Sequence, residues 1–230
     1  MTHFRVALFD VDGVLLDSLG PHLKICEDKN EEYGLGLSIP GPDEFRKMVR
    51  GGVRISPMKY FFLAVGFPEL YAEMADRQYE AIFTRDYKPA PFAGVPEMLR
   101  ALHDAGMKMG TVTSNVRANV VDALGESVQF LDSKCIFCKD DSAQLSKSES
   151  IITAMAELQA QPAETVYVGD QPADRVAAES AGVQFLGVSY GWGISQDDNG
   201  FPIVSTVDAI RRYILSNGTA QTGGVAGLSS

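Results

Sequence analysis

Short apolar segments rich in β-branched and aromatic residues alternate along this chain with longer segments whose apolar residues recur at helical spacing. This alternation is typical of βαβ units, in which parallel strands form one sheet and helices cover both of its faces. It predicts an α/β fold with a mostly parallel sheet. The candidate strands are residues 4–9, 107–113, 135–137, 166–168 and 183–188.

Residues 18–88 interrupt this alternation, because they contain helical patterns and no convincing strand. One pattern places Met58, Phe61, Phe62 and Val65 at helical spacing. We therefore expect a helical insertion at 18–88. The last residues, 219–230, are rich in Gly, Ser and Ala and have little to bury, so we expect a flexible tail there.

Charge and composition exclude several classes of protein. The 20 basic residues against 30 acidic ones give a net charge of −10, which argues against a general nucleic-acid binder because such proteins need clustered positive charge. Apolar stretches are shorter than the about 20 residues that span a bilayer, and the N-terminus lacks a signal-peptide pattern. Three cysteines do not form a disulfide framework. We expect a cytoplasmic protein without a membrane partner, and composition leaves monomer and homodimer open.

Two acidic residues follow the first predicted strand. Asp10 and Asp12 are spaced by two, so in extended chain their side chains face the same side, and Gly13 then lets the chain turn away. Two carboxylates at the carboxyl end of a buried parallel strand repel each other unless a cation or a shared proton relieves them. A solvated turn is the alternative interpretation, and this motif alone does not decide between them.

The predicted strand at 166–168 is also followed by an acidic residue, in Gly169-Asp170, and Asp174 lies four residues further on. Asp170 or Gln171 is also a candidate cap for the next helix, where Asp174 would face the helix dipole favourably. Capping and metal binding are compatible. Oxygen ligands from Asp10 and Asp170, with a backbone carbonyl and waters, suit Mg²⁺ better than zinc.

Two further segments have the composition of an anion site. Ser114 and Asn115 lie between a predicted strand and a predicted helix, where backbone N–H groups are available, although both are also ordinary helix caps. Ser146 and Glu149 have the spacing of a capping box, which places Lys147 in the first turn of a helix. The helix dipole disfavours a cation there, so an anionic partner would make that placement favourable.

These residues, in this order, resemble the four-motif signature of the haloacid dehalogenase (HAD) superfamily. The ordered motifs are Asp10-Val-Asp12-Gly13, Ser114-Asn115, Lys147 and Gly169-Asp170 with Asp174. The resemblance implies a Rossmann-like core at 1–17 and 89–218 with an inserted α-helical cap at 18–88. Likeness to the phosphoglycolate-phosphatase-like branch comes from Leu16-Asp17-Ser18, from residues 92–99 and from Tyr190-Gly-Trp-Gly193.

The resemblance also implies roles for the acidic residues. It implies that Asp10 is a nucleophile that becomes an aspartyl phosphate, and that Asp12 is the general acid and then the general base. Mg²⁺ would be held by Asp10, the carbonyl of Asp12 and Asp170. Asp174 would support the metal or the lysine, or be only a helix acid. The superfamily's dehalogenases lack the acid at the position of Asp12, so dehalogenation is disfavoured.

For the other motif residues, the resemblance implies that Ser114, Asn115 and Lys147 bind the phosphoryl oxygens. The cap says less about the substrate. Arg50 and Arg54 flank a Gly pair that could close over the site, and His22 lies where some relatives place a residue near the substrate. Surface arginines and an ordinary buried histidine are the alternatives.

Together, these features predict a Mg²⁺-dependent phosphatase that hydrolyses a small phosphate monoester, phosphoglycolate-like or sugar-phosphate-like, through an aspartyl phosphate. The expected partner is therefore a small phosphorylated metabolite. A phosphomutase of the same fold, similar to β-phosphoglucomutase, is the first alternative. A dehalogenase and a non-catalytic binding protein are less favoured.

Overall fold

The computed structural model describes residues 4–140 and 145–218, so the tail predicted at 219–230 lies outside the described residues. The strands are β1 (Val6–Phe9), β2 (Leu16–Asp17), β3 (Ala90–Pro91), β4 (Lys108–Val112), β5 (Ile136–Phe137), β6 (Thr165–Gly169), β7 (Gln184–Val188) and β8 (Ile203–Val204). The α-helices are α1 (Leu19–Tyr33), α2 (Pro42–Arg50), α3 (Met58–Ala64), α4 (Glu69–Asp86), α5 (Val95–Asp104), α6 (Arg117–Leu124), α7 (Lys147–Glu157), α8 (Pro172–Ser180) and α9 (Val207–Gly218). Short 3₁₀ helices lie at Gly125–Phe130, Ser133–Cys135 and Pro162–Glu164.

A six-stranded parallel sheet has the order β5-β4-β1-β6-β7-β8. The chain moves from β1 to one side of the sheet and later crosses back to β6 on the other side. β1 is therefore the point at which the strand order reverses, and open α/β sheets bind ligands beyond the carboxyl ends of their strands at this point. The predicted α/β class and parallel sheet are confirmed.

β1 is apolar throughout because both of its faces are covered. Val6 and Leu8 pack into the hydrophobic cluster that contains Ile151 and Phe185, whereas Ala7 and Phe9 pack into the cluster on the other face. Side chains of successive strand residues point to opposite faces. A strand buried on both faces therefore has a continuous apolar run rather than an alternating one.

Residues 18–88, which we call the cap segment, contain α1 to α4 and no strand. Their apolar side chains form a third hydrophobic cluster, joined from the rest of the chain by Trp192. The antiparallel pair β2 and β3 lies at the two ends of the segment. The division into core and cap stays a prediction, and the separate cluster supports it.

Three strands were not predicted: β2, β3 and β8 each have only two residues. A period of two cannot be recognised in so short a run, because the pairing partner rather than the local pattern makes it a strand. None of the helices in the described ranges is long and apolar enough to cross a membrane.

Candidate active site

The carboxyl ends of β1, β4 and β6 meet at one cavity of about 660 Å³. Asp10 follows β1 directly, and Asp170 follows β6 directly. β1 and β6 are neighbouring parallel strands with Phe9 opposite Val168, so their carboxyl ends lie side by side. The sheet therefore brings these acids together from positions 160 residues apart in sequence. Asp10, Asp12, Ser114, Asn115 and Lys147 all line the cavity.

Lys147 joins two of the acids. Its Nζ lies 2.9 Å from Asp10 Oδ2 and 2.6 Å from Asp174 Oδ1. α7 starts at Lys147 because Ser146 and Glu149 form the predicted capping box, with the Ser146 N–H donating to Glu149 Oε2 at 2.7 Å. The local sequence therefore sets where the helix begins, and this start places the ammonium between the two carboxylates.

Burial and charge act in opposite directions on this group of residues. Burial raises the pKa of the Asp10 carboxyl from its ordinary 3.8 to about 7, although the Lys147 ammonium lowers it and the Asp174 carboxylate raises it further. Burial disfavours the Lys147 ammonium, yet Asp10 and Asp174 raise its pKa well above the ordinary value. Lys147 therefore stays charged, and a further cation beside Asp10 would favour the ionised carboxylate.

Asp170 is fully buried and only half satisfied. Its Oδ2 accepts the Trp192 N–H at 2.6 Å, whereas its Oδ1 has no hydrogen-bond partner among the described residues. Burial, with the Asp174 and Asp10 carboxylates, raises the pKa of Asp170 well above its ordinary value. An unpartnered carboxylate oxygen in this position is costly unless a cation or proton meets it.

The carboxylate cluster fits a divalent cation. Oxygens of Asp10, Asp170 and Asp174 lie within 4.8 Å of one another. Asp174 already accepts from Lys147 and from the N–H groups of Asp170 and Gln171, at 3.1 and 3.0 Å. Asp10 accepts two hydrogen bonds, from Lys147 and from the Val11 N–H, and Asp170 Oδ1 accepts none. Asp170 therefore has the clearest capacity for a metal, followed by Asp10, and Asp174 orients the groups around them. All-oxygen donors are the ligands that Mg²⁺ prefers.

Two glycines allow the backbone to approach Asp170 this closely. A Cβ on Gly13, where φ is +77°, would lie 2.3 Å from Asp170 Oδ2. A Cβ on Gly191 would lie 2.4 Å from Asp170 Cβ and 2.6 Å from the Gly13 carbonyl oxygen. Neither position has space for a side chain, and Gly13 also needs the left-handed backbone that glycine adopts without strain.

Asp12 is positioned by Asn115. The Asn115 side-chain amide donates to Asp12 Oδ2 at 2.9 Å, and Asn115 Oδ1 accepts from the Val116 N–H and from Asn119 Nδ2. Asp12 Oδ1 is buried without a hydrogen-bond partner among the described residues. Asn115 thus uses its side chain on Asp12, whereas Ser114 is exposed and lines the cavity; the phosphate contacts expected of both stay predictions.

The cap candidates separate into two groups. His22 is buried and lines the cavity. Arg50 and Arg54 do not line it: Arg50 donates to the Ile194 carbonyl oxygen at 3.2 Å, and Arg54 stacks on Tyr60 at 3.7 Å and donates to the Ser56 carbonyl oxygen. In this structure both arginines therefore make structural contacts.

Sequence reasoning gave no role to Tyr79, which lines the cavity from α4, and none to the side chain of Trp192. Tyr79 lies in an apolar helical pattern that is typical of a buried core. The only signal for Trp192 was its place in the segment Tyr190-Gly-Trp-Gly193.

Comparison with known proteins identifies the family. The family model described as haloacid dehalogenase-like hydrolase matches residues 7–188, which run from the second residue of β1 to the end of β7 and include every acid that lines the cavity. The chain belongs to the haloacid dehalogenase-like hydrolases. The sequence-based prediction of an HAD-like hydrolase is therefore confirmed.

Curated relatives of this HAD-like hydrolase are named as phosphatases. The chain is 29% identical over 204 residues to N-acetylmuramic acid 6-phosphate phosphatase of Pseudomonas aeruginosa, with 85% of each chain covered. It is 30% identical over 202 residues to a phosphoglycolate phosphatase of Vibrio vulnificus, with 82% of this chain and 85% of the relative covered.

Among solved structures, an HAD-like family hydrolase from Streptococcus pneumoniae has the same fold. It superposes with a TM-score of 0.74 at 22% identity, covering 93% of this chain and 99% of that one. At 22% identity, this similarity shows only that the two chains share a fold.

Proposed function

We propose that this HAD-like hydrolase is a Mg²⁺-dependent phosphatase of small phosphate monoesters, phosphoglycolate-like or sugar-phosphate-like, and that it acts through an aspartyl phosphate on Asp10. One observation carries the proposal: Asp10 and Asp12 line the same cavity, Lys147 contacts Asp10, and Asp170, whose Oδ1 has no partner among the described residues, has a carboxylate oxygen within 4.8 Å of one of Asp10. The names of the curated relatives support a phosphate ester as the substrate.

Asp10, the carbonyl of Asp12 and Asp170 would hold the metal. When bound, Mg²⁺ offsets the negative charge that otherwise keeps a carboxylate and a phosphate apart. Lys147 and the Ser114 hydroxyl would hold the phosphoryl oxygens, because both line the cavity and can donate hydrogen bonds. Asp174 keeps the Lys147 ammonium next to Asp10 through their 2.6 Å contact.

The reaction requires two displacements at phosphorus. In the first, an Asp10 carboxylate oxygen attacks phosphorus, the bond from phosphorus to the ester oxygen breaks, and Asp12 donates a proton to the leaving alkoxide. In the second, Asp12 takes a proton from water, the water oxygen attacks phosphorus, and the Asp10 carboxylate is released with inorganic phosphate. Asn115 holds Asp12 in place for both proton transfers.

The test is phosphate release from a panel of phosphate monoesters, with Mg²⁺ or with EDTA, for the wild type and Asp10→Asn. We expect turnover that needs Mg²⁺ and that disappears in Asp10→Asn. Asp104→Asn is the matched control, because Asp104 is exposed and lies outside the cavity lining. Turnover that survives in Asp10→Asn would contradict the assigned nucleophile. Turnover in EDTA would contradict the metal requirement.

A further inference from the structure

The hydrogen bonds of His22 determine which atom carries its proton. His22 Nδ1 lies 2.6 Å from the Ser18 carbonyl oxygen, and His22 Nε2 lies 2.8 Å from the Tyr79 hydroxyl. A carbonyl oxygen can only accept, so Nδ1 carries a hydrogen and donates it. In the neutral ring Nε2 is then an acceptor, and Tyr79 must donate to it.

The surroundings of His22 favour this neutral ring. His22 is 6% exposed and lies among the rings of Phe61, Phe83 and Trp192, at centroid distances of 4.6 to 5.5 Å. Burial lowers the pKa of His22, although the Asp12 carboxylate opposes this. Burial raises the pKa of the Tyr79 hydroxyl well above its ordinary value, so that hydroxyl keeps its proton.

Tyr79 lines the cavity, and its hydroxyl oxygen is left with acceptor capacity only. Its only proton is directed to His22, and the lone pairs that remain on its oxygen can accept a hydrogen bond but cannot donate one. A hydroxyl or N–H group of a bound molecule satisfies this oxygen. A carboxylate does not, because its oxygens and the Tyr79 oxygen are all acceptors.

The charged side chains that line the cavity also disfavour a carboxylate on the bound molecule. Asp12 lines the cavity and, when ionised, is near enough to affect the pKa of both His22 and Tyr79. Of the cations in the lining, Lys147 contacts Asp10 and Asp174, and Lys139 forms an ion pair with Glu80. Arg77 is exposed, and in the sequence of α4 it follows Asp76 directly and precedes Glu80 by three residues.

We infer that Tyr79 is a specificity-determining residue, which selects esters whose leaving group offers a hydroxyl or N–H donor and disfavours esters with a carboxylate at that position. This inference rests on the proposed phosphatase function. The cavity of about 660 Å³ has room for a polyhydroxylated leaving group, since pockets for small molecules span roughly 300 to 1,000 Å³.

The test uses two pairs of esters that differ only by a carboxylate in place of a hydroxymethyl group. The pairs are 2-phosphoglycolate with 2-hydroxyethyl phosphate, and 3-phosphoglycerate with glycerol 3-phosphate. We expect the wild type to have the higher kcat/KM for the hydroxymethyl member of each pair. Tyr79→Phe should reduce that ratio about tenfold, the effect of one hydrogen bond of ordinary strength.

The ratio separates selection from folding, because a loss of folded protein lowers both rates equally. Tyr33→Phe is the control: the Tyr33 hydroxyl belongs to the same cap segment, lies outside the cavity lining and has no hydrogen-bond partner among the described residues. It should leave the ratio unchanged. A wild-type preference for the carboxylate esters, or an equal loss for both members in Tyr79→Phe, would overturn the inference while the phosphatase function stands. Absence of turnover on all four esters, with turnover on no other monoester, would overturn the proposed function instead.

Discussion

The backbone N–H of Trp192 donates to Asp170 Oδ2 at 2.6 Å, and the side chain of the same residue packs edge-on against His22 of the cap segment at 5.3 Å. The only tryptophan of the chain thus contacts both a candidate metal ligand and the cap. Arg46 donates to the carbonyl oxygen of the neighbouring Gly191 at 3.1 Å, which adds a second connection between this loop and α2. Metal binding or a substitution at Asp170 should therefore alter the surroundings of the Trp192 indole.

We expect Mg²⁺ to change the fluorescence of Trp192 in a saturable titration. Removing a hydrogen-bond partner of a metal ligand typically weakens metal binding by roughly 10- to 100-fold. Asp170→Asn should weaken Mg²⁺ binding by more than this, because it removes a ligand itself. Asp104→Asn should titrate like the wild type. An unchanged titration in Asp170→Asn would contradict the proposed metal position.

Asp12→Asn should separate proton transfer from metal binding. The side chain loses its acid, so kcat should fall by roughly 10²- to 10⁴-fold. The main-chain carbonyl proposed as a metal ligand remains, so the Mg²⁺ titration followed by Trp192 should not change. Steady-state rates and the same fluorescence titration measure the two effects. Equal losses of rate and of metal affinity would argue against a separate role in proton transfer.

Lys147→Met should destabilise the metal-free protein. It removes the cation that Asp10 and Asp174 share, so each buried acid must either stay charged without its ion-pair partner or take up a proton. The free energy of unfolding should fall by about 3 kcal/mol, in the lower part of the range for broken buried ion pairs because about a quarter of the Lys147 side chain is exposed. Urea denaturation in EDTA measures this. Lys24→Met, which removes an exposed ion pair with Asp28, should have a clearly smaller effect.

The stability of the metal-free protein should depend on pH through Asp10. Its pKa is about 7 in the folded chain and near 3.8 when unfolded, so between these values the folded state holds a proton that the unfolded state has lost. This contribution is complete below pH 3.8 and is lost as the pH rises through about 7. The free energy of unfolding of the wild type, measured relative to Asp10→Asn in EDTA, should therefore fall between pH 5 and pH 7.5. Parallel pH profiles for the wild type and Asp10→Asn would contradict this prediction.

Gly191→Ala should disrupt the metal site. The new methyl group would overlap Asp170 and the Gly13 carbonyl oxygen, so we expect a loss of about 3 kcal/mol in the free energy of unfolding together with weaker Mg²⁺ binding. Gly41→Ala is the matched control, because a Cβ there meets no atom within 4 Å and φ is −71°. Thermal unfolding and the Trp192 titration measure both effects.

The sequence predicted the order and type of the groups at the strand ends. Asp10, Asp170 and Lys147 follow from local signals, because apolar runs mark buried strands and a capping box marks the start of a helix. The same signals could not assign partners. Asn115 contacts Asp12 because a side-chain amide reaches the adjacent strand end, and nothing in its local sequence distinguishes that contact from a phosphate contact.

By itself, then, the sequence determined the α/β class, the position of the helical insertion and the acids that meet at the end of β1, since each depends on periodicity or on neighbours within one turn or strand. Only the tertiary structure decided that Arg50 and Arg54 contact carbonyl oxygens and an aromatic ring, that Tyr79 reaches the cavity, and that Trp192 touches both Asp170 and the cap segment. These contacts join residues far apart in the chain. Their partners are set by how the helices pack on the sheet, which no local pattern encodes.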